Sequence, residues 1–400
     1  MKIVFLQDDF PPESAGGAGM VAGSLAREFK QRGYEVSVVS ATQKRENEGK
    51  SEWEGVPVYR VYSKYHERWR AWRSLNNPAA ADKVSKILND LKPDIVHAHN
   101  VHYHLSYASF SAAKRSGARV FLTAHDAMLI SYGKLPPDGQ TNWLSELKRA
   151  KLRYNPLRNF FIRRALKNVD YTFAVSSALE AALKRSGVRV DDVVYNGIDE
   201  KEWRADAKII ESFVAAHVLE GRKPIFFGGR ISDQKGGSAA LEALSIVAAK
   251  IPEAVLLVAG RENAYMQKLK ARAESLGISK NLVPIGWLSG SELRAAYHAS
   301  RAVIIPSLYL DPLPTVALEA MACKKPVVAS RNGGLPEIVA DGQTGLIADP
   351  ANPPAFAEAI ASLLLDEHTA KALGEKGYAR ANELFSFDAE TAKLLSWYEK

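Results

Sequence analysis

Short β-branched runs alternate with longer amphipathic stretches along nearly all 400 residues, and this alternation constrains the fold more than any single motif. Ile3–Gln7, Glu35–Ser40, Asp94–Ala98, Arg119–Ala124 and Tyr171–Val175 read as strands. Between them Met20–Arg32, Ala80–Leu91, Ser106–Ser116 and Asn159–Lys167 carry the apolar period of helices. Parallel neighbours need crossovers long enough for a helix, so an α/β, doubly wound parallel sheet is predicted. The rhythm restarts after residue 220, with strands at Pro224–Gly228, Ala254–Ala259, Leu282–Ile285, Ala302–Ile305, Pro326–Ala329 and Gly345–Ala348 and a helix at Ser238–Lys250. One hydrophobic core seldom serves 400 residues. Two domains are therefore expected, 1–200 and 201–378, with a linker at 190–208 where Asn196-Gly197 marks a turn. The tail 379–400 reads as a helix whose aromatics, among them Phe385, Phe387, Trp397 and Tyr398, predict docking on the first domain.

Composition narrows the setting. Hydrophobic residues at 46% and charged residues at 24% exclude a disordered chain. A lone cysteine, Cys323, excludes an intrachain disulfide and a cysteine-rich metal framework, and predicts a reducing, cytoplasmic compartment. Met1–Asp9 reaches acid too soon for a signal peptide, and no uncharged apolar stretch approaches the ~18 residues that span a bilayer.

The net charge of +8 is concentrated. Between Trp143 and Lys167 eight bases face one acid, Glu146, so this segment carries +7. Such a patch predicts an anionic partner (a membrane face, a phosphate-bearing substrate or nucleic acid), against the plainer reading of a solvated helix face. Tyr62, Tyr65, Trp69 and Trp72 recur at helical spacing with Arg68, Arg70 and Arg73 interleaved. They suit a membrane interface or an aromatic stripe packed on the first domain.

Ligands of doubly wound sheets sit outside the carboxyl ends of the strands, so loops leading from strand to helix carry the chemistry. After the first strand, Gly16 and Gly17 precede a helix and let backbone amides approach an anion. In the second half, Gly228-Gly229-Arg230 and Lys235-Gly236 share one such loop, and the two bases suit adjacent phosphates. The run Asp311-Pro312-Leu313-Pro314-Thr315 leads into a helix bearing Glu319, so two carboxylates flank amides that can face a phosphate. Five histidines fall at His97, His99, His102, His104 and His125. No carboxylate lies at helical ligand spacing beside them, which leaves acceptor contacts, above all His99 and His102, or ordinary polar packing ahead of a metal site.

Gly-Gly after the first strand, Gly-Gly-Arg with Lys-Gly, a pair of acids eight residues apart, and Gly-Gly-Leu-Pro-Glu at 333–337 together resemble the retaining family 4 nucleotide-sugar glycosyltransferases of the GT-B fold. The resemblance spans nearly the whole chain and includes Asn196-Gly197-Ile198-Asp199. It implies two Rossmann-like domains facing across a cleft, the first for the acceptor and the second for a nucleoside-diphosphate sugar, with no metal and no cofactor. Carried over, Arg230 and Lys235 bind the donor diphosphate, Glu319 the ribose hydroxyls, and Gly17 a phosphate through its amide. Gly16, Gly229, Leu313, Pro314 and Thr315 complete the donor side, and His125 touches the donor sugar. Asp311 stands where the family has glutamate, and Leu313-Pro314 replaces the usual glycine, so the sugar contact departs from the pattern. The expected activity is transfer of a sugar from a UDP- or GDP-sugar to a glycan or lipid-linked acceptor, in the cytoplasm or peripherally on the membrane. A nucleotide-sugar epimerase or a phosphorylase on the same fold is the alternative enzyme, and a basic nucleic-acid-binding protein the alternative without catalysis.

Overall fold

The computed structural model describes residues 1–13 and 17–400. The chain divides into two compact units, the first made of Met1–Leu135, Gly139–Gly197 and Phe387–Lys400, the second of Pro136–Asp138 and Ile198–Ser386.

The first unit is built on eight strands: β1 (Lys2–Gln7), β2 (Glu35–Thr42), β3 (Gly49–Trp53), β4 (Val56–Tyr62), β5 (Ile95–Ala98), β6 (Arg119–Ala124), β7 (Tyr171–Ala174) and β8 (Asp192–Val193). Their order is β3-β4-β2-β1-β5-β6-β7-β8. Ile3 to Leu6 of β1 are wholly buried, as a central strand covered on both faces requires. All neighbours are parallel except β3 and β4, a hairpin absent from the sequence reading. Glu54 and Gly55 both adopt positive φ at its tip, the geometry of a two-residue turn, while the exposed Gly49–Trp53 strand shows no apolar alternation to announce it. Because Tyr62 closes β4, the aromatic series to Trp72 does not run along one helix, and Trp69 and Trp72 stand 51% and 52% exposed.

The tail corrects another expectation. Residues 379–384 finish the helix Glu367–Leu384 in the second unit, and a new helix begins at Phe387. This last helix, Phe387–Tyr398, packs on the first unit: Trp397 Nε1 donates to Asp192 Oδ2 at 3.0 Å, and the Tyr398 ring lies 4.8 Å from that of Phe121. The stretch expected to be a bare linker holds β8 and the turn Glu200–Trp203.

The second unit has six parallel strands, β9 (Lys223–Gly228), β10 (Ala254–Ala259), β11 (Leu282–Gly286), β12 (Ala302–Ile305), β13 (Val327–Ala329) and β14 (Gly345–Ile347), in the order β11-β10-β9-β12-β13-β14. Leu241, Leu244, Leu256, Val258, Phe356 and Ile360 join one buried cluster between the sheet and its helices. Among the described residues no helix is long and apolar enough to cross a membrane.

Candidate functional site

Each sheet has one place where the winding direction reverses, and loops leaving the two strands there diverge to open a crevice. In the second unit it falls between β9 and β12, since β10 and β11 extend one way and β13 and β14 the other. The loop after β9 is drawn against the loop after β12 by backbone contact. Gly236 has φ +82°, and a Cβ there would sit 1.9 Å from the Pro306 carbonyl oxygen, so only glycine allows the approach. Leu308 N–H donates to the Gln234 carbonyl at 2.8 Å and ties the same two loops.

This contact brings Lys235 Nζ to 2.7 Å from Asp311 Oδ2. Asp311 is 3% exposed and also accepts from Ser307 Oγ at 2.8 Å. Burial would raise its pKa, but the Lys235 charge and the hydrogen bonds from Lys235, Ser307 and Tyr309 hold it below the usual aspartate value. From the other side Gly333, at φ +69°, lies where a Cβ would meet the Asp311 carbonyl oxygen at 2.1 Å, and Gly334 N–H donates to that oxygen at 2.8 Å. The Gly-Gly pair at 333–334 therefore buttresses Asp311.

The helix Thr315–Ala322 starts immediately afterwards, with no side chain capping its first turn. The free amides of such a first turn lie at the positive end of the helix dipole, which favours an anion. Leu313 and Pro314 bury their side chains and leave main-chain atoms as their contribution. Glu319, one turn in, accepts from Tyr297 Oη at 2.6 Å. Burial raises its pKa, opposed by hydrogen bonds from Tyr297 and Thr315. Gly229 has φ +112° and Arg230 is exposed at the mouth of the β9 loop.

In the first unit the reversal falls between β1 and β5. Asp8, just past β1, accepts from the N–H groups of Tyr103 (2.6 Å), His104 (2.9 Å) and Leu105 (2.7 Å), and so fixes the loop that follows β5. Burial pushes its pKa up to about 7 against those amides. Gly17 is exposed as the first residue of the helix Gly17–Gln31, three residues earlier than the sequence pattern placed its start. Gly16 lies outside the described residues.

The histidines form a stack. His97 on β5 is sealed between Thr123 Oγ1 (2.8 Å) and the Tyr398 hydroxyl. The His99 ring lies 4.6 Å from that of His97 and 5.0 Å from that of His125, with 2.7 Å between His99 Nδ1 and His125 Nε2. Burial pushes the pKa of His97 down to about 3 and of His125 to about 4, and holds His99 well below the usual value. His99 and His102 are only 3% and 4% exposed, and His125 is the partly open member. Tyr297 carried no sequence signal, and Tyr398, read from the sequence only as a docking aromatic, gave no sign of its partner His97, because each meets its partner only through a contact from a distant element. Asp8, an acid directly after the first strand, could have been flagged.

Known proteins resemble this chain in sequence and in fold. The model of Glycosyltransferase Family 4 matches residues 15–202, and that of Glycosyl transferases group 1 matches residues 210–380. An uncharacterized glycosyltransferase of Methanocaldococcus jannaschii is 28% identical, over 92% of this chain and 90% of that protein. The alpha-maltose-1-phosphate synthase of Mycolicibacterium smegmatis is 28% identical over 100% of this chain and 99% of its own length. The Anabaena protein HepE, solved in complex with UDP, superposes over 100% of both chains with a TM-score of 0.76 at 18% identity, a likeness of fold. With one family model on each α/β unit and relatives matched end to end, the chain belongs to the glycosyltransferases of family 4 and group 1, with the GT-B fold.

Proposed function

We propose that this glycosyltransferase is a retaining hexosyltransferase that moves a sugar from a nucleoside-diphosphate sugar, UDP- or GDP-linked, to a glycan or lipid-linked glycan in cell-surface polysaccharide or glycolipid synthesis. The observation that carries the reading is that, at the β9/β12 reversal, the loop bearing Arg230 and Lys235 is joined through the Lys235–Asp311 ion pair to the loop leading into the uncapped helix that bears Glu319. Breaking a glycosyl–phosphate bond leaves negative charge on the departing diphosphate. Arg230 meets it with planar donors, Lys235 with a point charge and Thr315 with a helix-terminal amide, all in place before the charge develops. These groups supply the neutralisation that a divalent cation would otherwise give, so no metal is needed. Glu319 binds the ribose hydroxyls and Asp311 the transferred sugar, with His125 donating to the same sugar.

Retention follows from front-face displacement. Asp311, the carboxylate nearest the diphosphate side, is buried and committed to Lys235 and Ser307, a poor nucleophile for a covalent intermediate. The departing phosphate oxygen takes the acceptor proton instead. UDP bound by HepE supports a uridine donor, and the sugar phosphate made by the mycobacterial synthase supports hexosyl transfer. A thermal-shift screen of UDP-, GDP- and ADP-sugars in the presence of EDTA tests the donor reading, because a ligand that binds only the folded state raises Tm. One nucleotide series should stand out, and proton NMR of the product should show the donor's anomeric configuration. A flat response across all three series would overturn the proposal.

A further inference from the structure

The helices Trp143–Ala150 and Arg158–Leu166 reverse the usual sidedness of a surface helix. Glu146 and Ala150 form the buried face of the first, Arg158 and Ile162 that of the second. Outward, the first shows Trp143, Leu144 and Leu147, and the second shows Phe160 and Phe161, preceded by Leu157, each at least 39% exposed. Leu152, in the turn between them, is 100% exposed. The inward charges are satisfied: Glu146 accepts from Ser131 Oγ (3.0 Å) and Tyr132 N–H (2.7 Å), and Arg158 donates to the Met128 carbonyl and to Asn159 Oδ1 (2.9 Å). Both helices thus grip the same stretch, Met128–Tyr132, with their inner faces, and both apolar faces turn away from it. Beside Leu152 the turn Glu67–Trp69 packs against Lys151–Arg153, which adds the exposed Trp69 to the patch.

The basic run divides accordingly. Arg149 is bound to Glu146, Arg158 is buried, and Arg163 donates to the Ser186 carbonyl. Lys148, Lys151, Arg164 and Lys167 are exposed, interleaved with the apolar residues, and in no ion pair among the described residues. A soluble anionic glycan would use these bases but gain nothing from exposed leucine and phenylalanine. The core of a protein–protein interface is depleted in lysine. An anionic bilayer uses both, with Trp and Phe at the headgroup boundary and bases on lipid phosphates.

We propose that this inverted surface seats the first unit on an anionic lipid bilayer. The proposal deepens the lipid-linked acceptor reading and rests on it only for why a transferase would dock there, since docking is measured without donor or transfer. The test is flotation of the full chain with phosphatidylcholine vesicles, with and without phosphatidylglycerol, at low and high salt. Flotation should require phosphatidylglycerol and weaken ~10-fold or more at high salt, as screening of surface charge dictates. It should weaken comparably in Leu152→Ser with Phe160→Ser, and in Lys148→Gln with Lys151→Gln and Lys167→Gln. All these positions are exposed, and unchanged melting curves for the variants confirm that the fold is kept. No flotation at low salt, flotation indifferent to the apolar changes, or a dimer that those changes dissolve would each overturn the bilayer assignment. Vesicle binding without any nucleotide thermal shift would instead sink the donor reading and leave this surface standing.

Discussion

His99 Nδ1 lies 2.7 Å from His125 Nε2 in two stacked imidazoles that burial keeps neutral, so one nitrogen donates and the other accepts. His99 Nε2 is buried without a partner. An orphaned acceptor is tolerated better than an orphaned N–H, which places the His99 proton on Nδ1 and makes His125 Nε2 the acceptor. His125 then carries its own proton on Nδ1, a donor suited to a sugar hydroxyl. In His99→Ala the His125 tautomers should mix, visible in nitrogen-15 NMR, and kcat should fall ~10-fold or more, the scale of a lost catalytic hydrogen bond, with KM little changed. An unaltered His125 tautomer in that variant would dismiss the linkage.

Lys235→Met tests two roles at once. Loss of a donor facing developing charge should slow transfer ~10²-fold or more. The variant also strands Asp311, whose pKa the lysine holds down against burial. A depressed carboxylate pKa contributes stability above its unfolded value of 3.8, and that contribution fades as pH falls through the folded value. The melting-temperature gap between wild type and Lys235→Met should therefore be wide at neutral pH and close as acid protonates Asp311; Asp311→Asn in the same background should close it at every pH.

The proposed site divides donor recognition between the two acids. Glu319→Gln should weaken every donor and the free nucleoside diphosphate alike, ~10-fold by the loss of a charged hydrogen bond to ribose. Asp311→Glu should reorder donor sugars while leaving free diphosphate affinity nearly intact. It will also cost about 1–3 kcal/mol, because the added methylene enters a site closed by Ser307 and Gly333. Parallel losses in both variants across a donor panel by calorimetry would reject the division.

Gly236→Ala forces a Cβ to 1.9 Å from the Pro306 carbonyl at φ +82°. Backbone must shift, so a stability loss of ~2 kcal/mol or more is expected, together with weaker donor binding because Lys235 moves with its neighbour. Urea melts and donor titration measure the two losses.

Glu390, 5% exposed on the last helix, accepts from Gly197 N–H at 2.7 Å. Burial, against that hydrogen bond, raises its pKa from 4.5 to about 8. An acid with a raised folded pKa stabilises fully below 4.5, and the contribution is lost as pH climbs through about 8. Glu390→Gln keeps an acceptor for Gly197 but no charge, so its Tm should exceed wild type by more at pH 8.5 than at pH 5. Equal differences at the two pH values would contradict a proton held by Glu390.

What the sequence determined by itself was local or periodic. Apolar runs such as Ile3–Leu6, and loops joining strand to helix such as Gly229–Gly236, disclose two doubly wound sheets and the places where phosphate chemistry can sit, because secondary-structure period and helix-terminal amides are properties of adjacent residues. The β3–β4 hairpin escaped because Gly49–Trp53 is an exposed edge with nothing to bury on alternate positions. Tertiary structure alone decided which side chains meet: Lys235 finds Asp311 across 76 residues, Tyr297 finds Glu319 from a separate helix, and Tyr398 reaches His97 across 301. It also decided what the basic run means, by turning Glu146 and Arg158 inward and Trp143, Leu152 and Phe160 out. Charge counts are additive along a chain, but exposure depends on what packs against it, and that is set only when the fold closes.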